Sequence, residues 1–288
     1  MEYRKVIKFG NSSHVISLPK AWTDTQNIKK GDVIYFEENE KGNLTISPRD
    51  LDERDSRQIV KLNVDGISIK KIQLEMIAAY IKEFSKLIFT GKEISKKSKE
   101  LRRMLRELMG VEVIEQTKTK MVAKDFLNIK EIKLEDIRRR LDSVVRNMII
   151  DSKIGEGKSN YQDVINRDYD ANKFSYVSLR VIRRGMEKPK VRKQTGLSLL
   201  ELSHEQHIIL AMERIGDIAK WISREDCYSK LSKSEIAELN KLHEIVLENY
   251  ITAMKAYNKK DYGTCCNIVS KNKEIQMKCD NSKNKLKS

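Results

Sequence analysis

Proline is almost missing from this chain. Pro19, Pro48 and Pro189 are the three in 288 residues. Proline removes a backbone donor and clashes with the preceding helical turn, so the proline-free run from Arg49 to Lys188 leaves long helices open. Aromatic side chains make up 6% of the chain and hydrophobic ones 39%, which favours slender cores such as helix bundles over thick ones. No window supplies the roughly 18 consecutive apolar residues that a membrane span needs, and the first residues lack an apolar signal core. No membrane insertion is expected. The four cysteines, Cys227, Cys265, Cys266 and Cys279, contain no C-x-x-C pair. They read as free thiols of a cytoplasmic protein. Neither a G-x-x-x-x-G-K-[ST] phosphate loop nor a nucleophile elbow is present, so no enzyme class is indicated. His204 and His207 stand three apart, whereas the zinc-protease helix needs four.

What the chain has is charge. Charged residues make up 34%, and the formal net charge is +15, which points to an anionic partner, usually nucleic acid. The distribution is uneven. Early in the chain Arg4, Lys5, Lys8 and Lys20 face only Glu2. The stretch RVIRRGMEKPKVRK and the lysine-rich tail hold most of the remaining excess, and read as a solvated loop and a frayed end.

Three regions follow from periodicity. Residues 1–50 read as strand, strand, short helix, strand, strand. YRKVIKF and HVISL flank a GNSS turn, Pro19 opens a helix, and VIYFEE and NLTIS form a hairpin across NEKG. So small a segment buries little surface alone and should dimerise or dock. Residues 51–128 read as a short α+β connecting region. RQIVKLNV alternates like a strand, KIQLEMIAAYIKEFSKLIF and SKKSKELRRMLRELM read as helices, and VEVIEQ and KMVAKDF as a hairpin. Residues 129–288 read as an antiparallel α-helical bundle with breaks at Gly155, Gly157, Gly185, Pro189 and Gly196.

The ordered features of the first 48 residues are a basic strand, a Gly-Asn-Ser turn, an alternating strand ending Leu-Pro-Lys, and a Lys-Gly-Asp turn. Together they resemble the AbrB/SpoVT swapped-hairpin family. The resemblance implies that two chains interleave their hairpins into one small barrel, a homodimer whose basic edge contacts DNA. Arg4, Lys5, Lys8 and Lys20 are the candidates for phosphate contacts, and Asn11, Ser12 and Ser13 for bonds near the turn. The alternative is a barrel that only dimerises the chain.

The helical part carries VINRDYDANKFSYVSLR and AMERIGD. These resemble one three-helix repeat of the PhoU family, in which acidic pairs four residues apart on two helices gather at a metal cluster. Here the pairs are Glu213 with Asp217, and Asp168 with Asn172, where an amide replaces the second acid. Geometry adds an independent expectation. The loop between the two helices is centred near residues 192 and 193, so in an antiparallel hairpin Asp168 lies level with Asp217 and Asn172 level with Glu213. Such an oxygen set suits magnesium, manganese or iron, with zinc a further candidate. The ordinary alternative is ion pairing with Lys220, Arg167 or Lys173. The family usually carries two repeats, but only two helices fit after Glu225, and Asn272 and Gln276 stand where acids would be expected. The bundle face left open is available to a partner chain.

An AbrB-like module before a PhoU-like bundle resembles the archaeal-type phosphate uptake regulators. The expectation is a dimeric DNA-binding regulator of phosphate homeostasis with a metal-binding sensor bundle. The alternative is a regulator that docks phosphate transporter subunits without binding DNA.

Overall fold

The structure is a computed structural model, and it describes residues 3–38, 42–48, 58–155, 158–227 and 230–285. The turn residues Asn39, Glu40 and Lys41, the break at Gly157 and the boundary near residue 50 lie outside the described residues. Packing divides the chain into two units, Met1–Ser56 and Arg57–Ser288.

The first unit consists of two hairpins and a short helix. Strands β1 (Ile7–Phe9) and β2 (Ser13–Val15) pair antiparallel, with Ile7 opposite Val15 and Lys8 opposite His14. Gly10 takes φ +66° at their turn, a conformation that side chains with a Cβ disfavour. Pro19 stands just before α1 (Lys20–Thr25). Strands β3 (Tyr35–Glu38) and β4 (Leu44–Ser47) form the second hairpin, with Phe36 opposite Ile46. Before it, the Lys-Gly-Asp turn is closed by Lys29 N–H donating to the Asp32 carboxylate at 2.7 Å.

The second unit opens with a four-stranded sheet. Its strands are β5 (Gln58–Asn63), β6 (Phe84–Thr90), β7 (Val111–Gln116) and β8 (Lys120–Asp125), in spatial order β5-β6-β8-β7. β5 and β6 run parallel and are joined through α2 (Ile69–Ile81), while β8 lies antiparallel to both β6 and β7. The inner strand β6 departs from the sequence reading, which runs a helix through it. The chain leaves α2 at Glu83, a non-glycine residue at φ +64°. Phe84, Leu87 and Phe89 are then buried as strand residues against Tyr80 and Met76. Tertiary packing of these large side chains overrides a local pattern that serves either structure. Helix α3 (Ile94–Arg106) buries Ile94, Leu101, Met104 and Leu105 on the same core.

The bundle follows. Helices α4 (Leu134–Asp151), α5 (Lys158–Glu187) and α7 (Leu199–Asp226) share a core of Leu141, Val145, Met148, Val164, Val181, Ile209 and Met212. The short helix α6 (Pro189–Thr195) ends on Gly196 at φ +68°. Ser198 then caps α7, and Ser232 caps α8 (Lys233–Lys259), each in a reciprocal box with the glutamate three residues on. α8 is tied to the end of α4 by Asn240 and His243, which bond to the backbone of Ile154 and Ile149. α9 (Tyr262–Lys285) lies along α8, where Ser282 donates to Glu238 at 2.9 Å.

The basic stretch before Pro189 is not a solvated loop. Within α5, Arg180 is 1% exposed, pairs with Asp125 at the end of β8, and stacks over the Tyr80 ring at 4.8 Å. Arg184 pairs with Glu83 in the same manner, and Arg183 donates to the Ile81 carbonyl. These arginines lie on the face of α5 that meets the sheet layer, and each buried carboxylate requires a cation beside it. They join the α+β layer to the bundle.

Candidate functional site

Two surfaces bear on function, one in each unit. In the first unit Ser47 is the only buried residue among those whose exposure is described. Phe9, Phe36, Val33 and Leu44 are each more than 60% exposed. Cross-strand partners share a face, so Ile7, Phe9, Val15 and Ser13 lie on one side of the β1–β2 hairpin and Lys8 with His14 on the other. The candidate residues therefore divide. Lys8 lies on the polar face, Asn11 and Ser12 form the turn, and Ser13 lies across from Phe9 on the apolar face. Arg4 and Lys5 precede β1, and Lys20 opens α1. Among its described residues this unit has no core of its own in which to bury that face.

Residues 7–53 match the family model described as antidote-toxin recognition MazE, bacterial antitoxin. The match spans both hairpins of the first unit and supports a swapped-hairpin domain there. No curated protein and no solved structure matches the chain. The MazE-like unit thus carries an exposed apolar face and, in Arg4, Lys5, Lys8 and Lys20, a group of basic residues.

In the second unit, α5 and α7 bring Asp168 and Asp217 together across a lysine. The Lys220 ammonium lies 2.8 Å from both oxygens of Asp168 and 2.8 Å from one oxygen of Asp217. Asp168 is 8% exposed. Glu213 is half-buried one turn before Asp217. Asn172 is half-buried on α5, and its amide makes no bond to the cluster among the described residues. Gly216, inside the ERIGD stretch, lets α7 approach α4, because a Cβ there would meet the Met148 sulfur at 3.3 Å.

Two members of the cluster were not legible as site residues. Glu107, which closes α3, is 5% exposed, and its carboxylate makes no hydrogen bond or ion pair with any described residue. It faces Asp168 and Lys220 electrostatically. Tyr176 on α5 lies in the field of Glu107, Glu213, Asp168 and Asp217. The available signal for Glu107 was its place three residues past Met104, on the flank of the buried stripe of α3.

The titrations follow from one imbalance, four carboxylates against the Lys220 ammonium and, beside Glu107, the Arg103 guanidinium. Burial pushes Asp168 up, and the neighbouring Asp217 charge adds to the rise against the opposing Lys220. Glu213 is raised by burial and then by Asp217 and Asp168. Glu107 is raised by burial and then by Asp168. Burial works against the Lys220 ammonium, yet its bonds to Asp168 and Asp217 more than offset that and raise it. Burial and the surrounding acids also raise the Tyr176 phenol. An excess of negative charge favours protons on both kinds of group.

The donor set suits a hard divalent cation in chemistry and in surplus negative charge. In its present arrangement Lys220 bridges Asp168 and Asp217 and supplies part of the positive charge that the cluster needs. Among the described residues, no three His, Cys, Asp or Glu side chains gather closely enough to hold a metal as they stand.

Proposed function

We propose that the protein is a dimeric DNA-binding regulator of phosphate homeostasis. The MazE-like unit forms the dimer and binds DNA, and the helical unit senses. The match over residues 7–53 carries this reading. The apolar face of the β1–β2 hairpin supports it, because a second copy is the simplest cover for such a face. Arg4, Lys5, Lys8 and Lys20 contact phosphates, and Asn11 and Ser12 reach the groove from the turn. The phosphate assignment rests on the likeness of the ERIGD and RDYDAN stretches to the PhoU family.

In this reading Asp168, Asn172, Glu213 and Asp217 would hold a magnesium, manganese, iron or zinc ion, which would supply positive charge in place of Lys220. Exchange between the two states links the bundle to DNA binding to the extent that they differ in affinity for DNA. The test is selection of bound duplexes from a random pool by the full chain, followed by sedimentation of the complex. Two chains on one enriched sequence is the expected result, and no enrichment over the starting pool contradicts the reading.

The family description also favours a second reading, in which the chain recognises a toxin protein as an antitoxin does. A tight stoichiometric partner co-purifying from the native cell would support it. Docking to phosphate transporter subunits through the bundle is the alternative if DNA binding fails.

A further inference from the structure

At one end of the bundle a cavity of about 940 Å³ opens between the start of α4, the α6–α7 corner and the α8–α9 junction. That size falls in the range of small-molecule sites, which are mostly apolar with a few fixed polar groups. Leu134, Val181 and Leu197 give it apolar walls. Its polar floor is already organised. Arg138 is 6% exposed, pairs with Glu205 at 3.0 Å, bonds to Asn258 and lies over the Tyr257 ring at 5.0 Å. The Tyr257 hydroxyl donates to Glu205 at 2.9 Å, and burial with the Glu205 charge pushes that phenol up to about 12.

The remaining charges on the wall are unequal in their commitments. Each acid has a protein partner. Glu205 is held as described, Glu201 caps α7 at Ser198, Glu135 pairs with Arg139 and Glu131 accepts from Asn128. The bases at the mouth do not match them. The side chains of Lys133, His204 and Lys260 make no hydrogen bond or ion pair with any described residue. Lys260 and His204 are close enough to the mouth that their charge helps hold Glu201 low, after the bonds from Ser198. With Arg138 committed to Glu205 and Asn258, the bases left at the mouth are Lys133, His204 and Lys260, and beside the apolar walls they suit a molecule with an apolar body and one acidic head.

We propose that this cavity binds an amphipathic organic carboxylate. The body lies against Leu134, Val181 and Leu197, and the head meets Lys133 and Lys260 at the mouth. Cys265 lines the same cavity and serves as an internal reporter.

The probe is octanoate, titrated calorimetrically into the full chain, with octylammonium and inorganic phosphate as comparison arms. One saturable octanoate site per chain is expected, with octylammonium and phosphate each binding at least tenfold more weakly. Lys133→Ala combined with Lys260→Ala should weaken octanoate at least tenfold. Gln194→Trp, a change at an exposed position of the wall, should weaken it at least tenfold by narrowing the chamber. In a chain whose other cysteines are serine, octanoate should slow maleimide labelling of Cys265 at least fivefold. That arm separates this cavity from the exposed apolar face of the MazE-like unit. Absence of octanoate binding at millimolar concentration overturns the proposal. So do equal binding of octylammonium or phosphate, undiminished binding by Gln194→Trp, and unprotected Cys265.

Discussion

Replacing Lys220 by Met removes the cation that bridges Asp168 and Asp217 while keeping most of the side chain's bulk. The ammonium makes two bonds of 2.8 Å to Asp168 and one of 2.8 Å to Asp217. The Asp217 side chain is 48% exposed, so that arm is screened and contributes at most about 1 kcal/mol. The Asp168 side chain is 12% exposed. Breaking a buried pair costs about 3–5 kcal/mol, and a third of Lys220 faces water, so the expected loss is about 2–3 kcal/mol at neutral pH. That is a large part of a stability on the order of 5–15 kcal/mol. The pH dependence gives the sharper test. Asp168, Glu213 and Glu107 all have folded values raised above the unfolded ones. Protonation therefore favours the folded state, a contribution complete below the ordinary carboxylate range and lost as pH rises through the raised values. Without Lys220 those values rise further. The deficit of Lys220→Met should be small near pH 4.5 and full by pH 8 in urea titrations. A deficit independent of pH, or below about 0.5 kcal/mol throughout, would refute the reasoning. If the cluster also takes a metal, millimolar manganese should raise the melting temperature of Lys220→Met more than that of the parent.

Other perturbations report on other parts of the account. Arg180→Met leaves the Asp125 carboxylate buried without its cation and should cost about 3–5 kcal/mol. Adding Asp125→Asn should recover most of that, measured by urea unfolding. Phe9→Glu places a charge on the apolar face of β1. Losing about 2 kcal/mol of burial from each of two chains should weaken dimerisation roughly a thousandfold by sedimentation. Gly216→Val brings a branched side chain against Met148 and Val145 and should lower stability by about 1–3 kcal/mol, with the Lys220 cluster displaced.

The legible parts of the fold are those with strong local signals. The GNSS and Lys-Gly-Asp turns and Pro19 before α1 each mark an element that the structure contains at that place. The α5–α7 hairpin follows from helix length alone, and its register brings Asp168 to Asp217. β6 was hidden because FSKLIF suits a buried strand and a helix equally, and only Tyr80 and Met76 beneath it decide. Arg180 and Arg184 were read as solvated because their partners, Asp125 and Glu83, lie 55 and 101 positions away. For Glu107 the spacing past Met104 signals burial but not the site, because it joins Asp168 from the α+β layer, 61 positions away, and no spacing rule reaches that far.

The proposed function requires that two MazE-like units pair and bind DNA. The direct measurement is fluorescence anisotropy of a labelled duplex with the full chain across a range of salt, with Arg4→Ala combined with Lys8→Ala as comparison. Two copies of Arg4, Lys5, Lys8 and Lys20 predict a log–log salt slope approaching about −7 if every one meets a phosphate, and a loss of about 3–4 from its magnitude in the variant. The same affinity and the same slope in both proteins would contradict it.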